Sequence, residues 1–415
     1  MSIAVRPVLV LAATLAACTE RPAGETVDAD CCSVTVRITV PGDIGDVYLT
    51  GNQETLGPWR PDSYLMTRDG LERSAQIEVP AGTEFEYNFT LGNWSRKALG
   101  PSGTVLPNHR LLVDASLEVS HDIEAFQADP VTYVDDWQGS GVQGTLVYWK
   151  DVASNFLARP RHVGIWLPPG YDGAAEARYP VLYMHDGQNL FDPRLIGSGE
   201  IWDVDDAVVR LMESGTIPPV IVVGVFNSAD RGFEYSPWHG APDYARFLID
   251  ELMPRVNAEF ATLTGPQDTA VMGSSMGGLL SYYLVTNHPD VFGACGCISS
   301  HFVLSEAWAA RFASGDETAG GADDTPYIIR DIENGLTVPD GIRYWFDYGT
   351  EGLDAEYHEP HLAVREWLLQ QGLSEGADFV IQPYEGAAHN EASWRERLDD
   401  PLTFLFASSV AVGDG

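Results

Sequence analysis

The spacing of apolar and polar residues changes character once along the chain. Val34, Val36, Ile38 and Val40 alternate strictly with polar positions, and Pro41-Gly42-Asp43 closes the run as a turn. Residues 47–49, 73–79, 84–91 and 111–119 supply further short strands with Gly-, Pro- and Asn-containing turns between them. This is the pattern of a small all-β sandwich, expected over residues 33–125. A Gly/Ser/Asp-rich linker at 126–145 follows. Beyond it, short apolar or β-branched runs at 161–167, 180–185, 219–225, 269–272, 294–299 and 342–348 alternate with helix-period stripes. One stripe passes through Tyr244, Phe247, Leu248, Leu252 and Val256, and another through Leu362, Trp367 and Leu368. Strands alternating with helices predict an α/β domain over 146–407, with a mainly parallel sheet and reacting groups at the strands' carboxyl ends.

Length fits this division, since 415 residues hold about two domains plus appendages at roughly 150 residues each. The apolar fraction of 45% is ample for both cores and excludes a disordered chain. Sixty acidic against 24 basic residues, a formal charge of −36, repel polyanions, so neither nucleic acid nor an anionic membrane surface is an expected partner. The first residues carry different information. A weakly positive start and a small-residue apolar run from 7 to 17 end in Leu15-Ala16-Ala17-Cys18. The run is too short to span a bilayer and has the layout of a secretory signal. Small residues directly before a cysteine resemble a bacterial lipobox, which makes 1–18 a lipoprotein signal, Cys18 the lipidated residue and 19–32 a polar tether. The expected location is then the periplasm or outer membrane, with membrane contact through the lipid alone. Cys295 and Cys297, two apart in an apolar run, are expected to point the same way as small buried hydrophobes. Cys31 and Cys32 are adjacent and carry no clear role, and no Cys/His spacing suits zinc.

The chemistry centres on Gly273-Ser274-Ser275-Met276-Gly277, which runs from an apolar strand into an apolar-periodic helix. Read as Gly-x-Ser-x-Gly, it sets Ser275 at the tip of a sharp strand-to-helix turn, with unbulky residues on either side. The turn lifts the hydroxyl clear of the sheet and leaves the Met276 N–H to face an oxyanion. A serine hydroxyl needs a base to take its proton and an acid to orient that base. In an α/β-hydrolase the order along the chain is Ser, Asp or Glu, then His. His389, in the small-residue loop Gly386-Ala387-Ala388 after an apolar strand, stands where the base belongs. His358 and His361 open a helix and are expected to be solvated, and His301 to line the pocket. Asp354, Glu351 and Asp347 are the candidate acids. Asp347 falls inside a strand, and Asp354 is favoured over Glu351 because it leaves a loop long enough to reach the imidazole. The second oxyanion donor should lie after the strand ending at His185, and the Gln188 N–H is the candidate.

Two resemblances extend this reading. The run from Val47 to Trp59, then Pro80-Ala81-Gly82-Thr83-Glu84-Phe85-Glu86-Tyr87-Asn88-Phe89, Gly92-Asn93-Trp94 and Pro107-Asn108 resemble the starch-binding, family-twenty type of carbohydrate-binding module. In that family two tryptophans stack on glucose rings, and Trp59 and Trp94 match their positions. The resemblance implies α-glucan binding; the alternative is that both side chains pack the sandwich. Arg161-His162-Val163-Gly164-Ile165-Trp166-Leu167-Pro168-Pro169-Gly170-Tyr171, then 180–191, 273–278 and the late His389 resemble the "putative esterase" branch of α/β-hydrolases. That branch includes esterase D, enterochelin esterase, feruloyl esterases and mycolyltransferases. Residues 231–237 also resemble a family loop near the active site, contacting the acyl or alcohol part of the substrate. The resemblance implies an α/β-hydrolase fold and a serine carboxylic-ester hydrolase without cofactor or metal. Its substrate would be a carbohydrate-linked, phenolic or siderophore ester. Acyl transfer is the near alternative, and a surface glycan-binding lipoprotein with a degenerate hydrolase domain the distant one.

Overall fold

In the computed structural model, the opening alternation becomes a nine-residue strand, Cys31–Thr39, whose inward positions Val34, Val36 and Ile38 are buried. The structure describes residues 31–57, 60–92, 96–99, 108–126, 137–174, 176–196, 199–228, 230–308 and 324–407. Cys31–Thr39 pairs antiparallel with Glu72–Pro80 and parallel with Leu117–Asp122. With Thr67–Asp69 these make one four-stranded sheet; Tyr64–Leu65, Tyr48–Gly51, Thr83–Thr90 and His109–Val113 make the other. Their inner faces share one core, in which Val36 and Ile77 meet Leu49, Phe85 and Phe89. The reason is the period of two: every second side chain of each strand turns toward the opposing sheet.

Two expectations are corrected in this unit. The first strand begins at Cys31, inside the expected tether, because Cys31 and Cys32 pair with Pro80 and Val79. Alternation then sends Cys32 into the core and leaves Cys31 exposed. The run 111–119 is two strands in opposite sheets, separated at Asp114, Ala115 and Ser116, where the chain crosses the sandwich. Cys18, Trp59 and Trp94 lie outside the described residues.

The second compact unit comprises Pro130–Ser305 and Thr325–Gly415. Its strands are β1 (Thr145–Val152), β2 (Arg161–Leu167), β3 (Val181–His185), β4 (Ile221–Val225), β5 (Thr269–Ser274), β6 (Ala294–Ile298), β7 (Arg343–Gly349) and β8 (Phe379–Tyr384). They form one eight-stranded sheet in the order β1-β2-β4-β3-β5-β6-β7-β8. The first two pairings are antiparallel and every pairing from β4 to β8 is parallel. Helices cover both faces, so the inner strands are apolar at nearly every position. Val271 joins the cluster beneath Leu279, Leu280 and Tyr244, while its neighbour Met272 joins Leu182, Val222 and Trp345 on the other face.

β1 is an addition to the expected strands, although Leu146-Val147-Tyr148-Trp149 is an apolar run. It is an edge strand with a bulge between Trp149 and Val152, so only part of it is buried. A short helical turn, Trp137–Ser140, lies within the expected linker. The stripe through Tyr244, Phe247, Leu248, Leu252 and Val256 is wholly buried, carried by a helix that passes through a wider π-helical turn, Phe247–Leu252, just before Pro254. Proline has no N–H to close an α-helical bond, and a local change of pitch accommodates it. The other stripe is corrected: on the helix His358–Gln370 the buried face is His361, Val364, Trp367 and Leu368, and Leu362 is 37% exposed.

The chain leading into β1 is anchored by Asp205, which accepts the Gln143 N–H at 2.7 Å from the first turn of the helix Val204–Glu213. Burial pushes this carboxyl up to about 6, even though that hydrogen bond opposes the shift. The folded state therefore holds the proton after the unfolded chain has released it. Stability falls as pH rises from about 4 to about 6 and stays reduced above. Asp205→Asn keeps an acceptor without the charge. We expect it to be more stable than wild type by about 2–3 kcal/mol at pH 8, with the difference vanishing toward pH 4, as read by urea unfolding at both values.

Candidate active site

β5 leads through Ser275 into the helix Met276–Asn287 with no intervening loop, and Ser275 takes φ 56°, ψ −121°. That conformation is strained for a residue with a side chain and persists only where the surroundings hold it. Here the Ser275 N–H donates to Ile298 O at 2.9 Å and Ser275 O accepts the His301 N–H at 3.3 Å, so both backbone groups are tied to the chain leaving β6. Gly273 completes the turn: a Cβ there would stand 2.9 Å from the carbonyl carbon of Gly277. Met276 is the first helical residue, and the first N–H groups of a helix have no intrahelical acceptor.

His389 lies between β8 and the helix Glu391–Glu396, whose start is fixed by Asn390 accepting the Ser393 N–H at 2.9 Å. Its Nδ1 is 2.5 Å from Oδ1 of Asp354, and the Asp354 side chain is fully buried. Asp354 stands on the one-turn helix Gly352–Glu356, just past β7. Its other oxygen accepts from Ser299 Oγ at 2.6 Å and from the Gly349 N–H at 2.8 Å. Burial raises this carboxyl's pKa, but His389, Ser299 and Gly349 outweigh it and hold the group below its ordinary value, hence ionised. A carboxylate can only accept, so Nδ1 of His389 carries a proton, which in the neutral imidazole leaves the lone pair on Nε2.

The other candidate acids stand elsewhere. Asp347 is buried and occupied: Oδ1 accepts from Arg397 Nη2 and from the Ser299 N–H, and Oδ2 from Trp345 Nε1. Glu351 is exposed, and its backbone N–H meets Ala387 O at 3.0 Å. Ser299, unmarked in the sequence, is the hub behind the acid. With φ 40° and full burial, its Oγ donates to Asp354 and accepts from Arg397 Nη2 and Trp394 Nε1. The signal available was its position directly after an apolar run at the sheet's carboxyl edge. His358 is exposed and meets Tyr348 OH at 2.7 Å. His361 is not solvated as expected: it is fully buried, and its Nδ1 donates to Tyr357 O at 2.7 Å. His301 is buried, with Nδ1 2.7 Å from Tyr357 OH; burial, and then the neighbouring His389 and Arg231, lower it to about 3, so the imidazole is neutral.

Gln188 sits in the one-turn helix Gly187–Asn189 that follows β3, and this loop lies flat on β4 because a Cβ on Gly187 would meet Gly224's carbonyl carbon at 2.4 Å. Asp186 braces the loop. It takes a left-handed conformation and accepts from Arg231 Nε and Nη2, each at 2.7 Å, and from Asn227 Nδ2 at 2.6 Å. Arg231 Nη2 also reaches Ser274 O at 3.4 Å, which links the brace to the serine turn. Among the described residues no group of three or more His, Cys, Asp or Glu side chains is arranged to hold a metal.

The strand order and the serine turn at the carboxyl end of the fifth strand are those of an α/β-hydrolase. Residues 154–405 match the family model described as "Putative esterase". The chain belongs to this family. Its second unit is thus an ester hydrolase, and residues 31–120 match the model described as "Starch binding domain". Over 278 residues the chain is 24% identical to a Bacillus subtilis protein called "Uncharacterized protein YbbA", covering 63% of this chain and 98% of that one. It is 25% identical over 234 residues to the endo-1,4-beta-xylanase/feruloyl esterase of Xylanibacter ruminicola, covering 52% of this chain and 31% of that protein. The solved enterobactin esterase of Shigella flexneri superposes with a TM-score of 0.50 at 16% identity, over 92% of this chain and 95% of that one, a likeness of fold.

The loops of Asp354 and His389 meet at Gly349, where a Cβ would lie 2.1 Å from Ala387 O and 3.0 Å from Asp354 Oδ2. We expect Gly349→Ala to part them and to cut ester turnover by about a hundredfold, with far-UV circular dichroism unchanged. Turnover of p-nitrophenyl acetate measures this.

Proposed function

We propose that the esterase unit is a serine carboxylic-ester hydrolase working through an acyl-enzyme. The observation that carries this reading is the His389–Asp354 contact at 2.5 Å, taken with the strained turn that bears Ser275. In the proposed cycle Ser275 Oγ attacks the ester carbonyl as its proton passes to Nε2 of His389, and the imidazolium is stabilised by the Asp354 carboxylate. The N–H groups of Met276 and Gln188 receive the negative charge on the carbonyl oxygen, each such donor typically lowering the barrier by about 3 kcal/mol. His389 then protonates the departing alcohol, and water, giving its proton to His389, releases the acid. The feruloyl esterase activity in the name of the Xylanibacter ruminicola relative, together with the starch-binding match, supports an ester of a carbohydrate-linked or phenolic acid as substrate. The signal-like start supports an exported lipoprotein anchored through Cys18.

Ser275→Ala should remain folded and lose ester turnover by at least about a thousandfold, measured on p-nitrophenyl esters, methyl ferulate and a siderophore trilactone beside labelling by a fluorophosphonate probe. Turnover retained by a clean preparation of this variant would overturn the assignment. A wild type that takes the probe yet ignores every ester keeps the nucleophile and removes these substrates.

A further inference from the structure

The loop after β3 and the segment bearing His389 lie far apart in the chain, yet a side-chain hydrogen bond joins them. Asn189 Nδ2 donates to Glu391 Oε1 at 3.0 Å, across 202 positions. Asn189 ends the one-turn helix Gly187–Asn189, directly after Gln188. Its backbone is fixed on both sides, the N–H donating to Asp186 O and the carbonyl accepting from the Trp202 N–H, each at 2.9 Å. Glu391 opens the helix Glu391–Glu396, two residues after His389. Ser393 makes that helix and the His389 loop one piece: its N–H donates to Asn390 Oδ1 at 2.9 Å, and its Oγ accepts the Ala388 N–H at 3.1 Å. Other contacts already dock the helix, because Arg395 Nη1 donates to Asp203 Oδ2 at 3.0 Å and Trp394 lies against Trp202 with ring centroids 5.4 Å apart. A carboxyl is also an unfavourable choice here. Burial raises its pKa most, Asp186 and Glu200 add to the rise, and its own N–H and His389 oppose it.

We propose that Glu391 is a positioning residue, whose hydrogen bond from Asn189 sets the Gln188 N–H in register with the imidazole of His389. The inference rests on Gln188 and His389 acting as the oxyanion donor and the base. In the attack, charge reaches the carbonyl oxygen as the serine proton reaches Nε2, so donor and base must fit one ester carbonyl at one moment. Each is anchored on its own side. Asp186 accepts from Arg231, which reaches Ser274 O at 3.4 Å, and Gln188 Oε1 accepts the Asn227 N–H at 3.2 Å. His389 is held by Asp354 at 2.5 Å. None of those bonds runs from the donor loop to the base loop, whereas Asn189 to Glu391 does. The direction of that bond is fixed by its chemistry: an ionised carboxyl only accepts, so the Asn189 amide donates. A bond so placed acts on the rate of the chemical step more than on substrate affinity, because it adjusts two groups that meet in the transition state.

The test uses isosteric exchanges in the full chain, which alter the hydrogen bond and leave the volume unchanged. Steady-state kcat and KM on p-nitrophenyl acetate are read beside the second-order rate of fluorophosphonate labelling, in which the phosphonyl oxygen takes the oxyanion's place. Asn189→Asp sets two acceptors against each other. We expect it to lower kcat and the labelling rate about 30- to 100-fold, with KM within about threefold of wild type. Adding Glu391→Gln to Asn189→Asp restores one donor and one acceptor with the direction reversed, so most of the rate should return. Glu391→Ala should lose about tenfold, and Glu391→Gln alone, which keeps an acceptor, should recover most of that loss. An Asn189→Asp enzyme that works like wild type overturns the proposal, as does a double variant no faster than Asn189→Asp. A loss carried by KM also overturns it, since that reports substrate binding. If Asn189→Asp fails to fold by far-UV circular dichroism, Glu391→Ala and Glu391→Gln decide: a faster Gln variant supports the inference and equal rates overturn it. If the wild type labels but turns over no ester, the labelling rates decide in the same way. A wild type that neither labels nor turns over removes the Ser275 mechanism and this inference together, whereas an active wild type with indifferent variants removes this inference alone.

Discussion

The geometry of the site depends on a pair of backbone hydrogen bonds across the carboxyl ends of two parallel strands. Ser275 N–H to Ile298 O and His301 N–H to Ser275 O hold a non-glycine residue at φ 56°. Such a conformation costs about 1–3 kcal/mol and relaxes unless the surroundings over-determine it. Here they do: Gly273 and Gly277 let strand and helix meet at van der Waals distance, and β6 clamps the turn from the side. Because the clamp is backbone to backbone, the Ser275 side chain stays available for chemistry.

The same edge carries a second layer that fixes charge. Asp354 and Asp347 are both buried carboxyls, which burial alone would neutralise. Ser299 separates their duties. Its hydroxyl and backbone N–H address the two carboxyls in turn, and Arg397 closes the network from behind at 2.8 Å from Asp347. Asp354 is left with one oxygen committed to Ser299 and Gly349 and the other facing His389. A buried charge is tolerable only when hydrogen-bonded and paired, and here the requirement for satisfaction also fixes the tautomer of the imidazole.

Different parts of this arrangement were legible to different degrees. Apolar runs of four to seven residues separated by helix-period stripes declared the parallel sheet, because burial on both faces leaves few polar positions to confuse the pattern. β1 escaped notice for the converse reason: an edge strand with a bulge presents a broken pattern. Leu111 to Val119 alternated well enough to look like one strand, yet the chain changes sheets at Asp114, which a local period cannot register. His361 was assigned to solvent because it opens a helix, whereas packing against Tyr357 and Phe302 decided its burial.

By itself the sequence determined the fold class and the glycine-flanked serine turn, because these rest on periodicity and on local backbone requirements that neighbouring residues carry. Only the tertiary structure decided which of three carboxylates meets His389. Asp347, Glu351 and Asp354 differ by a few residues in sequence, but one is buried under Arg397, one faces solvent and one lies 2.5 Å from the imidazole. The roles of Ser299 and Arg397 were likewise set by hydrogen bonds between residues 48 to 98 positions apart. Pairings at that separation have no local signature; they exist because parallel strands deliver distant segments to one edge of one sheet.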